Sequence, residues 1–232
     1  MTLRILTNLS LWLGAGLALA LTIWQIVQPG FLPVVWMDRF WQEVPANLFF
    51  QVLVPGAVLL ATGVSWKLLG LGRNMARRTR RWGRLGWILV ALLALPAVLR
   101  LASLSPLKGK LPWMIPLALA AAYAYTLLSQ GVPQEFLYRQ VLQPRLQALL
   151  RQTTAAIVLQ ALLFGLAGAG RWIAQGQPWP LALLTALLQG STLGLFYGLL
   201  RDRTGSLALP VLLHAWVDMW VVLPMVLQWI PF

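Results

Sequence analysis

An all-α, polytopic membrane bundle of seven or eight transmembrane helices is the fold this sequence predicts, and three observations predict it. Of the 232 residues 59% are hydrophobic and mean hydropathy is +0.75, whereas soluble domains are roughly 45–50% apolar. The apolar residues fall into runs of about 20, the length that crosses a bilayer core. The net charge of +13 sits mostly between those runs, where the positive-inside rule accounts for it without a nucleic-acid-binding face.

The first run, 9–27, contains Ala18-Leu19-Ala20, which has the look of a signal-peptide cleavage site. The apolar residues continue past it, so it reads as a retained helix. Residues 29–45 carry Trp36, Asp38, Arg39 and Trp41 between prolines, the composition of an interfacial segment with its indoles at headgroup depth. A second span covers 46–69, with Pro55 and Gly56 as the expected kink. The loop at 67–84 then holds Lys67, Arg73, Arg77, Arg78, Arg80, Arg81 and Arg84 with no acid to balance them. Membrane insertion alone explains such a cluster; a docking site for anionic lipid or an acidic partner is the alternative.

Runs 85–104 and 111–128 are the third and fourth spans, separated by Lys108 and Lys110. A separate helix is expected from Pro133, kinked or ended near Gln143 by Pro144. Arg145, Leu146, Leu149, Leu150 and Arg151 then suggest an amphipathic surface helix. Runs 154–172, 179–200 and 207–229 complete the set. With the amino terminus inside, thirteen basic residues lie on the cytoplasmic side and five outside, which orients the bundle. Residues 1–110 form the amino-terminal part with its basic loop, and 111–232 the core.

Only five acidic residues are present: Asp38, Glu43, Glu135, Asp202 and Asp218. Glu135 and Asp218 alone lie within or against long apolar runs, where a charge costs roughly 2.5–3.5 kcal/mol on insertion scales and calls for a partner. In helical geometry Glu135 faces Arg139, and His214 faces Asp218, each pair being four residues apart. Two readings stand. Each pair satisfies itself, or the two helices adjoin and form a water-activating site with a carboxylate base and an imidazole oxyanion donor. Gly190, Gly194 and Gly198, also four apart, form a stripe for close helix packing, ahead of a tight polar turn at 201–206. The absence of cysteine and the single histidine, His214, exclude disulfides, thiolate sites, HExxH and a two-histidine zinc site within one chain. No cofactor or metal is expected; axial ligation of a tetrapyrrole by His214 is the one cofactor alternative.

These residues resemble the CPBP family of intramembrane proteases, which includes CAAX prenyl proteases and bacteriocin-processing proteins. Gln134 to Arg139 is similar to the family's Glu-Glu-x-x-x-Arg motif, Phe164 to Gly168 falls at Phe-x-x-x-His, and Thr204 to His214 resembles the third motif, ending in a histidine followed four later by Asn. The resemblance implies a membrane-embedded protease fold. It also implies a departure from its chemistry, because Gln134 stands at the water-activating Glu, Gly168 at the second histidine and Asp218 at the Asn. The expectation is a non-catalytic member that binds or helps assemble a membrane partner. The alternative is an active endopeptidase for lipidated or membrane-embedded peptides, with a site rebuilt from Glu135, Arg139, His214 and Asp218, where Asp218 makes His214 the base. Expected partners are the bilayer and a membrane protein complex or lipidated peptide, not nucleic acid. The expected location is a bacterial or bacterial-derived membrane, with the amino terminus and basic loop cytoplasmic.

Overall fold

A computed structural model describes residues 43–61, 113–174 and 176–229, with 16 and 91 as isolated positions. Five helices are described: α1 (Glu43–Ala61), α2 (Met114–Leu150), α3 (Thr153–Ala174), α4 (Trp179–Thr204) and α5 (Ala208–Trp229). Each contains a stretch long and apolar enough to cross a membrane, and no strand occurs among the described residues. The chain is an integral membrane protein. Five helices stand against the seven or eight expected, and the runs at 9–27 and 85–104 lie outside the described residues, as does the basic loop.

One expectation is corrected. The run at 111–128, the helix expected from Pro133 and the surface helix expected at 145–151 are a single helix, α2, of 37 residues. At 1.5 Å per residue it is about 55 Å long, well beyond the roughly 30 Å of hydrocarbon. Pro133 and Pro144 do not break it because the winding changes next to each of them, and Pro116 lies in the first turn. Wider π-helical turns occupy Leu127–Gly131 and Phe136–Leu142, the kind of local adjustment that membrane helices use to re-satisfy backbone groups. Pro133 has no N–H to offer the Ser129 carbonyl four residues back; Asn47 Nδ2 on α1 donates to it instead, at 2.8 Å. The helix ends at Arg151, in the left-handed region at φ 55°.

Every residue from Glu135 to Gln143 is buried. A helix covered on all sides is the centre of a bundle, and the others are arranged around this segment. Against it, α5 is held by a close approach at Gly131, where an added Cβ would lie 3.0 Å from the Val211 carbonyl. Thr126 Oγ1 also donates across to the Ala215 carbonyl at 2.9 Å. The glycine stripe of α4 packs on α3 as expected: Gly190 meets Gly165, Gly194 meets Ala161 and Gly198 meets Ile157 and Gln160. Between α4 and α5 the expected polar turn is capped by Gly205 at φ 65°, whose N–H reaches the Arg201 carbonyl, and by Ser206 Oγ, which accepts the Ala208 N–H at 3.2 Å. Leu53, Leu117, Leu188 and Val221 are exposed on the outside of the bundle, as lipid-facing side chains are.

Candidate functional site

Glu135 and His214, 79 residues apart in the chain, touch: Oε1 lies 2.7 Å from Nδ1. The same oxygen lies 3.1 Å from Arg139 Nη1, one turn along α2. His214 Nε2 faces Asp218 Oδ2 at 3.4 Å, one turn along α5. The two i,i+4 pairs therefore satisfy themselves and also join, forming one chain from Arg139 through Glu135 and His214 to Asp218. The Gly131 approach and the Thr126 hydrogen bond make this possible, because they bring the polar turn of α5 onto that of α2.

The surroundings fix each side chain. Arg139, with no exposed surface, donates through Nη2 to the Gly194 carbonyl at 3.3 Å, and its guanidinium lies 4.3 Å from the centre of the Phe164 ring. Gly194 contributes its small size toward α3 and its carbonyl toward α2. One turn on, Gln143 Nε2 repeats the contact with the Gly198 carbonyl at 3.3 Å. The His214 ring stacks on Tyr197 at 5.1 Å with an 18° tilt and meets Phe164 edge-on at 5.6 Å. An imidazole held between two carboxylates and two rings has little rotational freedom.

Beside this chain lies a cavity of about 110 Å3. His214 and Asp218 line it, as do Gln134 and Gly168, the positions where the sequence departs from the expected chemistry. A Cβ added at Gly168 would meet nothing within 4 Å, so that wall is open space. Glu135 and Arg139 do not line the cavity. Glu135 Oε1 is engaged twice, and Oε2 is buried without a hydrogen-bond partner.

The arrangement has clear chemical limits. Both ring nitrogens of His214 face carboxylate oxygens, so neither is aimed at open space where a substrate proton or a metal would sit. The cavity is smaller than the roughly 300–1,000 Å3 of pockets for drug-sized ligands, and the residues present do not fit a tetrapyrrole. Among the described residues no group of three or more His, Cys, Asp or Glu side chains is arranged to hold a metal ion.

Sequence reasoning missed the contribution of α1. Glu43, Asn47 and Gln51 recur every four residues and form one polar stripe: Glu43 bonds the Tyr125 hydroxyl, Asn47 caps Ser129, and Gln51 donates to Asn47 at 3.0 Å while lining the cavity. The i, i+4, i+8 spacing in an apolar run was the available signal. Gln189, Tyr138 and Trp172 also line the cavity; nothing in their spacing marks them.

Residues 112–220 match the family model described as Rce1-like, type II CAAX prenyl endopeptidase Rce1-like. No curated protein and no solved structure matches the chain.

Proposed function

We propose, on the premise that residues 112–220 belong to the Rce1-like type II CAAX prenyl endopeptidase family, that this chain is a catalytically degenerate member. It uses the substrate cavity of that scaffold to hold a membrane partner. The observation that carries this reading is that the two cavity-lining positions expected to supply a base and a second imidazole hold Gln134 and Gly168. The carboxylate next in line, Glu135, has no exposed surface and is bound to Arg139 and His214. An amide does not accept a proton at working pH, and losing a general base costs roughly 10²–10⁴ in rate. What the scaffold retains is positioning: Arg139 and His214 are held by ion pairs, hydrogen bonds and ring contacts, beside a cavity that has an amide at 134 and a glycine at 168.

One observation favours the alternative. Asp218 lines the cavity and lies beside His214, so a rebuilt endopeptidase would use His214 as the base with Asp218 raising its basicity, and Glu135 and Arg139 would fix the imidazole. Reconstitution of the full chain in proteoliposomes with prenylated and transmembrane peptides separates the two. A stoichiometric partner recovered from native membranes, with no cleavage, is the expected result. Cleavage that disappears with both Glu135→Ala and His214→Ala would replace it with the rebuilt protease.

A further inference from the structure

We infer that the cavity receives the carboxamide of one asparagine or glutamine side chain on a transmembrane helix of the partner, which pairs with the amides of Gln134 and Gln189. The inference rests on the binding reading above and names the group that is bound.

The hydrogen-bonding capacity left open on the cavity wall is neutral. His214 and the two carboxylates are engaged with one another, Glu135 on Nδ1 at 2.7 Å and Asp218 facing Nε2 at 3.4 Å. Gln134 from α2 and Gln189 from α4 also line the cavity. Gln134 is half-buried and Gln189 exposed, and neither amide has a hydrogen-bond partner among the described residues. Irregular backbone brings groups to this wall. The π-helical turns at Phe136–Leu142 and Ala186–Gly190 place Tyr138 and Gln189 on it, and such turns are frequent at functional sites.

Depth and chemistry select the ligand. Gln189 is ten residues into α4, about 15 Å from the start of the helix and so near the middle of a roughly 30 Å hydrocarbon core. It is exposed beside Leu188, itself 64% exposed, so this part of the wall faces lipid and a ligand enters from within the bilayer. At that depth an amide with no partner is costly, and a helix that meets it has its own backbone groups satisfied. The hydrogen bonds must therefore come from a side chain. A hydroxyl bonds its own helix instead, as Thr126, Thr192 and Thr204 do here to the carbonyl four residues back. A charge gains no counter-ion from two neutral amides and is expensive in hydrocarbon. A carboxamide carries donor and acceptor together, and amide side chains join membrane helices in this way. At about 110 Å3 the cavity admits one such side chain and not a peptide segment.

The test uses the full chain in phosphatidylcholine liposomes. A dansyl-labelled polyleucine span with one central asparagine is incorporated, and energy transfer from the chain's tryptophans is followed while unlabelled spans with asparagine, leucine or lysine at the centre compete. The expected result is displacement by the asparagine span at about tenfold lower concentration than by the leucine span, a preference that falls below about threefold in both Gln134→Leu and Gln189→Leu. Measuring each variant against the leucine span cancels any general loss of packing. No saturable transfer, equal competition by the asparagine and leucine spans, or a preference that survives in either variant overturns the inference. Stronger competition by the lysine span than by the asparagine span overturns the choice of an amide. Because no span carries a prenyl group or a CAAX sequence, absence of the amide preference leaves the non-catalytic reading standing, and cleavage of a prenylated peptide would sink that reading while leaving the amide measurement intact.

Discussion

Arg139→Met should be among the most damaging single substitutions in the chain, and adding Glu135→Gln to it should cost less than Glu135→Gln costs alone. Both side chains have no exposed surface and lie 3.1 Å apart, so removing the guanidinium leaves a buried carboxylate with His214 as its one remaining charged or polar neighbour in this cluster. Breaking a buried ion pair from one side costs about 3–5 kcal/mol. Arg139→Met also deletes the donor to the Gly194 carbonyl and the stacking on Phe164, which keeps the value from falling below about 3 kcal/mol even with His214 in place. Glu135→Gln removes the charge but keeps an oxygen for His214 Nδ1. If the single costs simply added, the double variant would lose about 6 kcal/mol or more; a coupled pair loses less than that by about 2 kcal/mol, the range seen for residues sharing one network. Unfolding by sodium dodecyl sulfate in mixed micelles, followed by tryptophan fluorescence for wild type, both singles and the double, measures the cycle. Additive costs, or an Arg139→Met loss under about 1 kcal/mol, would refute the claim that this ion pair is the buried centre of the bundle.

Three further outcomes follow from the packing. Gly165→Ala places a Cβ 2.7 Å from the Ala186 carbonyl, a backbone atom that cannot rotate away, so the thermal midpoint in detergent should fall by the equivalent of about 1–3 kcal/mol; Gly168→Ala, facing open space, should leave it unchanged. Asn47→Leu strips the Ser129 carbonyl of its donor and should cost about 1–3 kcal/mol, and adding Pro133→Ala, which restores an N–H within α2, should recover most of the loss in the same unfolding assay. Tyr197→Phe deletes a buried hydroxyl that has no partner and should be neutral within about 1 kcal/mol, while Tyr197→Ala, which loses the ring stacked on His214, should cost about 3–5 kcal/mol.

How far the sequence could be read depended on the kind of signal. The helices α3, α4 and α5 were legible because apolar length is a direct statement about the bilayer, and their expected bounds lie within a few residues of those observed. The pairs Glu135/Arg139 and His214/Asp218 were legible because helical spacing is local. That they would join was not, since the contact at 2.7 Å depends on where α5 crosses α2, and the residues at that crossing, Gly131 and Ala215, carry no charge or spacing that pairs one helix with the other. The length of α2 was misjudged for a related reason. Proline is read as a break, but Pro133 is accommodated by a change of winding and by an Asn47 side chain 82 positions from Ser129 in the chain, and no window on the sequence contains both. The polar stripe of α1 is a weak signal in the sequence, because Glu43 sits at the helix end and the amides of Asn47 and Gln51 carry no charge.

The central claim is that the scaffold is intact and the chemistry is missing, and the most direct measurement restores the chemistry. Gln134→Glu with Gly168→His returns a carboxylate and an imidazole to the open cavity wall, where a Cβ at 168 meets nothing within 4 Å. Wild type and the double variant are reconstituted in proteoliposomes, and cleavage of a prenylated CAAX peptide is followed by mass spectrometry. The account predicts no product from the wild type and turnover from the double variant, lost again when His214→Ala is added. Turnover by the wild type equal to or above that of the double variant would contradict it.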